Sequence, residues 1–334
     1  MTIEVRRPAA VASAAELLWR ATARTALRPA DGLSAVPMER VLLDGERLVV
    51  KWLSPEIDWV MRFSGDDRCR PVVMWEEGLY HAVSPWVDPL VTAVARDEER
   101  GAWALVMRDA TEEFLPEGDA TIPPDAQKRF LRDMAGLHAG FWGFEHREGL
   151  CRPEQFYGIF APSTLAKEAA ERPLTGVPSY AGPGWEELRA LQPQLTEQVL
   201  ALAEDPQPLV RALAETPRTL VHHDWKGGNL GTRPDGRTVL VDWAFPGASA
   251  GCADLAWYLG VNCDRLPTGK EGVISAYREA LERNGIRTAP WFDRQLELAL
   301  LGCFLVLGWS KTQDPAELRW WVDRTARVAA ELCR

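Results

Sequence analysis

The chain has 334 residues, a formal net charge of −10 and 46% hydrophobic residues. That length suits one large domain or two lobes with a sizeable core. The acidic balance leaves no general basic field for a nucleic-acid backbone, so nucleic acid is not expected as a partner, whereas a cationic small molecule would be attracted. Six cysteines stand without a CxxC pair or metal-ligand spacing, which predicts reduced, mostly buried thiols in a cytoplasmic protein. The start, MTIEVRRPAAVASAAELLW, lacks the sustained apolar core of a signal peptide. The most apolar run, Leu296 to Gly308, is broken by Glu297 and falls short of the roughly 20 residues that a bilayer needs, so no membrane association is expected.

In chain order, Ser13 precedes AAELLWRATARTAL, where Leu17, Leu18 and Ala21 recur at helical spacing and predict a capped opening helix. MERVLLDGERLVVKWL places Asp44-Gly45 between two β-rich runs, the signal for a tight hairpin, with Lys51 near the end of its second strand. Pro71 to Val83 reads as a helix and Ala102 to Ala110 as a strand entering a connector. Residues 1–110 therefore read as a small α+β unit, and residues 111–334 as a larger, mainly helical one. The helical signals are AQKRFLRDMAGLHAGFW, LRALQPQLTEQVLALAE, ELALLGCFLVLGW and ELRWWVDRTARVAAEL, with a Pro- and Gly-rich link from Arg172 to Trp185. One β-rich island interrupts them, RTLVHHDWKGGNLGTRPDGRTVLVDW.

The island carries the chemistry. PDG (Pro234 to Gly236) predicts a short antiparallel hairpin. With Asp235-Gly236 as a two-residue loop, Asn229 falls opposite Asp242, their Cβ atoms roughly 5 Å apart. A shift of one residue would turn one of them to the other face. An amide oxygen and a carboxylate are hard ligands suited to Mg²⁺, which keeps waters and takes further oxygens from phosphates. Asp224 then stands at the mouth of the same site, where a carboxylate orients a hydroxyl and accepts its proton, and Lys226 adds positive charge for a transferring phosphoryl group.

HHDWKGGNL followed by VLVDW and ADLAW resembles the catalytic and metal-binding loops of the protein-kinase-like fold, and within it the aminoglycoside phosphotransferase and choline kinase branch, with its HGDxxxxN, IDWE and DLA. The resemblance implies an α+β, two-lobed protein-kinase-like fold that binds ATP and Mg²⁺; the residues do not separate ATP from GTP. It implies Asp224 as catalytic base, Asn229 and Asp242 as metal ligands, His222 as a brace for the loop and Asp254 as structural support. His223 stands where that family usually has glycine, and Ala244 where an acidic residue often follows DW. Further back, VVKWL supplies Lys51 for the nucleotide phosphates. EEGLY resembles the family's E-x-x-[FY]-Y and favours Glu76, with Glu77 second, as the carboxylate that holds Lys51. LVMRDA resembles the lobe connector, so backbone groups of Met107, Arg108 and Ala110 are expected to pair with a purine. MAGLHAGFW resembles a family helix in which His138 is structural. DGLSAVPMERV is a loose phosphate-covering loop with Gly32 and Ser34. The resemblance covers about residues 30 to 260.

Other readings compete with this one. Zinc at His222-His223 lacks cysteines or further histidines nearby. GASAG (Gly247 to Gly251) matches the serine-hydrolase elbow, but no histidine follows it in the chain as that fold requires, so it reads as a loop entering the CADLAWYL helix. A catalytically inactive, nucleotide-binding module of the same fold is the remaining alternative. The expected enzyme is an ATP-dependent phosphotransferase acting on a hydroxyl of an aminoglycoside, amino sugar, sugar or amino alcohol. Acceptor specificity is expected in CRPEQFYGIF and around Trp309, Trp320 and Trp321, at least two of which suit the core better than a binding wall.

Overall fold

A computed structural model describes residues 12–27, 36–116 and 118–334. Its N-terminal part comprises β1 (Ala12–Ser13), α1 (Ala14–Leu18), β2 (Thr22–Leu27), β3 (Met38–Leu43), β4 (Glu46–Leu53), α2 (Trp59–Phe63), α3 (Arg70–Glu76), α4 (Leu79–Val83), β5 (Val87–Asp88), β6 (Val91–Asp97) and β7 (Ala102–Arg108). The hairpin at Asp44-Gly45 forms as expected: Leu43 pairs with Glu46, and the two loop residues have φ of +52° and +86°. Positive φ at both positions is the geometry that Asp-Gly accommodates and that matches strand twist.

Six strands make one sheet in the order β1-β6-β7-β4-β3-β2. Along β4, Leu48, Val50 and Trp52 pack into one apolar cluster, whereas Val49 and Leu53 pack into another that faces the rest of the molecule. Side chains alternate along a strand, so Lys51 shares the second face.

Two expectations here are corrected. The opening helix is only α1: Ser13 makes no side-chain cap, and Thr22–Leu27 is instead a strand paired with β3, where edge pairing outweighs helical spacing. The helix expected over 71–83 is two, broken at Gly78 with φ +66°.

The C-terminal part comprises α5 (Pro124–Gly140), α6 (Pro153–Tyr157), α7 (Pro162–Glu171), α8 (Val177–Leu191), α9 (Pro193–Glu204), α10 (Gln207–Ala214), β8 (Thr219–Val221), β9 (Leu230–Thr232), β10 (Thr238–Leu240), β11 (Gly247–Ser249), α11 (Cys252–Val261), α12 (Gly269–Arg283), α13 (Phe292–Leu307) and α14 (Pro315–Leu332). Pro193 divides the expected helix over Leu188 to Glu204 into α8 and α9, since a proline suits a first helical turn and not an interior. α8 also takes in most of the link expected from Arg172 to Trp185.

The apolar α13 is the central buried helix, with Leu298, Leu300, Leu301, Phe304 and Leu305 all about 1% exposed or less. Trp321 is wholly buried in the same core, while Trp320 and Trp309 are partly buried against it. The island's strands β8, β9 and β10 join β5 and β11 in two small sheets, β5-β10-β9 and β11-β8, laid on the helices. α5 secures them through Asp133, which accepts from the Thr238 hydroxyl at 2.7 Å. The six cysteines are free thiols, four of them buried. Among the described residues no helix is long and apolar enough to cross a membrane.

Candidate active site

The island's hairpin turns through three loop residues rather than two. Arg233 N–H donates to Arg237 O at 3.0 Å, and Gly236 takes φ +84°, the pattern of a tight turn closed by a left-handed residue. The register therefore shifts by one from expectation: Leu230 pairs with Leu240, and Asn229 O accepts from Val241 N–H at 3.1 Å. Asp242 is not opposite Asn229. It lies beyond the ladder with φ +65° and reaches the site through that left-handed turn, with Lys51 Nζ at 2.8 Å from its carboxylate.

Asp224, buried to 6% exposure, is held at both oxygens. Trp257 Nε1 donates to Oδ1 at 2.8 Å; Asn229 Nδ2 donates to Oδ2 at 2.8 Å, and Lys226 Nζ lies 3.0 Å from the same oxygen. Burial lowers the Lys51 and Lys226 pKa values, but the carboxylates of Asp242, Asp58 and Asp224 at Lys51, and of Asp224 and Asp242 at Lys226, outweigh it and raise both, so both are ammonium ions. Burial pushes Asp242 up, and Lys51 and Lys226 more than reverse it, keeping the carboxylate below its ordinary range. Lys51, Asp224, Lys226 and Asp242 thus form one cluster of mutually compensating charges, with the neutral Asn229 amide bonded to Asp224.

His222 is a brace. Its Nδ1 accepts from Asp224 N–H at 3.1 Å and its Nε2–H donates to Val241 O at 3.0 Å, which assigns a neutral ring tying the Asp224 loop to the strand before Asp242. His223 Nδ1–H donates to Phe245 O at 3.0 Å. Both rings are engaged by backbone, and neither is placed as a zinc ligand. Asp254, wholly buried at the start of α11, accepts from His222 N–H at 2.9 Å, His223 N–H at 2.6 Å and His138 Nε2–H at 3.1 Å. Burial pushes its carboxyl up, but the bond from His138 and the three imidazoles hold it below the ordinary range. His138 is structural as expected, its Nδ1 meeting the Tyr277 hydroxyl at 2.7 Å.

Burial depresses the pKa of both His222 and His223, more than neighbouring Asp254 raises it. A depressed folded-state pKa contributes stability that is complete above the unfolded value, about 6.5, and is lost as pH falls toward the folded one. The urea midpoint is therefore expected to drop between about pH 7.5 and pH 5.5. Equilibrium unfolding followed by tryptophan fluorescence checks this, and a flat midpoint over that range contradicts it.

Other expected site residues are placed differently. Glu76 does not hold Lys51: it ends α3, is 44% exposed and pairs with Arg68 at 3.7 Å, while Glu77 pairs with Arg147 at 2.9 Å. The α3 turn packed on the sheet presents Cys69 and Val72, which leaves the carboxylates at Lys51 to other elements. One is Asp58, absent from the sequence reading. It caps α2 by accepting from Val60 N–H at 2.9 Å, and it is 5% exposed. Burial raises its pKa, with Lys51 opposing. An aspartate before an apolar run reads as a helix cap, and nothing in the sequence distinguishes one that also faces a lysine. Trp257, the donor to Asp224, sits in ADLAW, where nothing in the sequence marks it as reaching the Asp224 loop.

At the connector, Met107 is buried within β7 and paired on both sides. Arg108 spends its N–H on Leu90 O and its guanidinium on Glu113 and Asp88. Ala110 O accepts from Glu113 N–H, and among the described residues no partner takes the Ala110 N–H. Val36, Val49, Met107 and Ala110 form an apolar cluster with Val239 of β10, with Met38, Phe114 and Val241 packed against it and only partly buried. Gly32 and Ser34 lie outside the described residues. GASAG is a strand rather than a loop: β11 pairs with β8, with Ser249 opposite Thr219.

The model of the phosphotransferase enzyme family (APH) matches residues 44–292, from the first hairpin past α12. The chain belongs to that family. This phosphotransferase is a small-molecule kinase with the protein-kinase-like fold. Its solved structural neighbours include the choline kinase LicA from Streptococcus pneumoniae, at 13% identity and a TM-score of 0.50 over 96% of each chain. A microcompartment-associated aminopropanol kinase matches at 13% identity and 0.52, over 96% of this chain and 94% of that one. A thermostable mutant of aminoglycoside phosphotransferase APH(4)-Ia matches at 15% and 0.50, over 95% and 97%. At these identities the likeness is one of fold. No curated protein matches the sequence.

The site fits Mg²⁺ on its donor set. Asn229 spends its amide N–H on Asp224 and keeps its oxygen, Asp242 is an anionic carboxylate, and the positive charge that neutralises the cluster comes from Lys51 and Lys226. One amide and one carboxylate, completed by water and phosphate oxygens, is the manner in which this ion is bound in phosphoryl-transfer sites.

Proposed function

We propose that this phosphotransferase uses ATP to phosphorylate a hydroxyl of a small molecule, with an aminoglycoside, amino sugar, sugar or amino alcohol as the acceptor class. The observation that carries the reading is the Asp224 carboxylate, held at both oxygens by Trp257, Asn229 and Lys226 while Lys51 and Asp242 pair beside it. In the proposed reaction Asp224 orients the acceptor hydroxyl and takes its proton as the new O–P bond forms and the bond to the leaving ADP breaks. Lys51 and Lys226 hold positive charge against the phosphates. Asn229 and Asp242 would hold Mg²⁺, which when bound neutralises charge on the transferring group. The base would pack against the apolar cluster around Met107 and Ala110, with the Ala110 N–H as its candidate backbone donor. GTP remains a second nucleotide to test.

The net charge of −10 and the names of the structural neighbours, given for choline, aminopropanol and an aminoglycoside, favour a nitrogen-bearing acceptor. The test is a nucleotide-consumption screen with ATP and GTP across the four acceptor classes, with Asp224→Asn as blank. Turnover that needs Mg²⁺ and vanishes in the blank is expected. Metal-dependent nucleotide binding with no turnover across the screen would make the protein a nucleotide-binding module instead.

A further inference from the structure

His223 takes no part in the phosphoryl chemistry, yet it occupies a costly position. Its φ is +63°, a left-handed conformation that glycine adopts freely and that other L-residues adopt at an energetic cost. The imidazole is wholly buried, and Nε2 has no partner among the described residues, so its polar contact is made through Nδ1 alone. That contact runs to Phe245 O, three residues beyond Asp242. The ring stacks on Phe156 of α6 at 4.4 Å and 26°. Phe156 meets the Trp257 ring edge-on at 5.3 Å, and Trp257 donates to Asp224. A glycine at 223 would satisfy the backbone and leave both connections unmade.

We propose that His223 is a positioning residue that locks the Asp224 loop to the segment following Asp242 and, by stacking on Phe156, holds the Trp257 indole against the Asp224 carboxylate. The kinetic consequence rests on the phosphotransfer reading; the mechanical one does not. His223→Gly relaxes the backbone while cutting the lock. His223→Asn tolerates left-handed φ and keeps a side-chain N–H donor. Phe156→Leu removes the stack but keeps an apolar side chain.

Hydrogen exchange on the nucleotide-free protein is expected to show amides of residues 241–247 exchanging about tenfold faster in His223→Gly. In steady-state assays kcat is expected to fall about tenfold or more with nucleotide KM within about threefold, because misplacing a catalytic group by a fraction of an ångström slows the step without removing binding contacts. His223→Asn should recover part of the loss, and His223→Gly combined with Phe156→Leu should lose less than the product of the single effects. Unchanged exchange in residues 241–247, an unchanged kcat in an active background, or multiplicative losses in the double variant overturns the proposal. If the wild-type protein turns over no nucleotide with any acceptor, the phosphotransfer reading falls and the exchange comparison alone decides the role of His223.

Discussion

Asp224→Asn is expected to lower kcat by about a thousandfold, on the order of 4 kcal/mol of barrier, while nucleotide affinity stays within about threefold. The amide is isosteric, so the steric fit of the loop is kept. Asn229 reaches Asp224 O as well as Oδ2, at 2.9 and 2.8 Å, so the Asn229 amide retains one acceptor after the change. What disappears is an anion able to take the hydroxyl proton, together with the ion pair to Lys226 and one of the bonds from Trp257 or Asn229, because the new NH₂ must face a donor on one side. The groups proposed to meet the nucleotide, Lys51 and Asp242, pair with each other and are untouched. Steady-state kinetics with an acceptor from the screen, alongside equilibrium binding of a fluorescent ADP analogue, separates the two quantities. Near-normal turnover would remove Asp224 as the base, and a parallel collapse of nucleotide binding would show that its role is structural.

The residues that were legible in the sequence are those whose positions are fixed by local chain geometry. Asp224, Lys226 and Asn229 sit on one short loop and Lys51 lies near the end of a hairpin strand with clear turn chemistry, so their positions are readable locally, while their expected roles rest on the resemblance to the family's loop and strand-lysine patterns. Asp242 does reach Lys51, but not through the register that the turn residues predict. Asp235-Gly236 predicts a two-residue turn, whereas the left-handed Gly236 closes a three-residue loop and Asp242 arrives through its own positive φ. Glu76 failed for a different reason: helical pattern places a carboxylate on α3 but does not say which neighbour it meets, and Arg68 lies nearer to it than Lys51 does. Trp257 depends on a contact between segments far apart in sequence, reaching Asp224 across 33 residues, whereas Asp58 is near Lys51 in the chain but reads only as the cap of α2. The opening helix failed because β2 is fixed by pairing with β3, a tertiary effect that helical spacing does not carry. The left-handed backbone at His223 explains why the related pattern carries glycine there, and it turns that departure from a curiosity into a mechanical feature.

Asp254→Asn is expected to destabilise the protein by about 3 kcal/mol and to shift its melting temperature down by about 5 °C or more, although the residue meets neither substrate. The wild-type carboxylate is acceptor-only, and it takes three donors: His223 N–H at Oδ1, and His222 N–H with His138 Nε2–H at Oδ2. An amide presents one acceptor and one donor, so whichever way it is turned, its NH₂ faces at least one buried N–H. With 0% exposure at Asp254, His138, His222 and His223, water does not replace the lost bonds. The pH dependence follows in sign from the depressed Asp254 pKa, whose contribution is complete above the ordinary aspartate range and is lost as pH falls through the folded-state value. The stability gap between wild type and Asp254→Asn, measured by urea unfolding, should therefore be full at pH 7 and narrow as the solution is acidified below that range. Because the lost bonds anchor the two residues before Asp224, kcat should fall along with stability. A variant that keeps the wild-type urea midpoint at pH 7 would show that the Asp254 network does not support the loop.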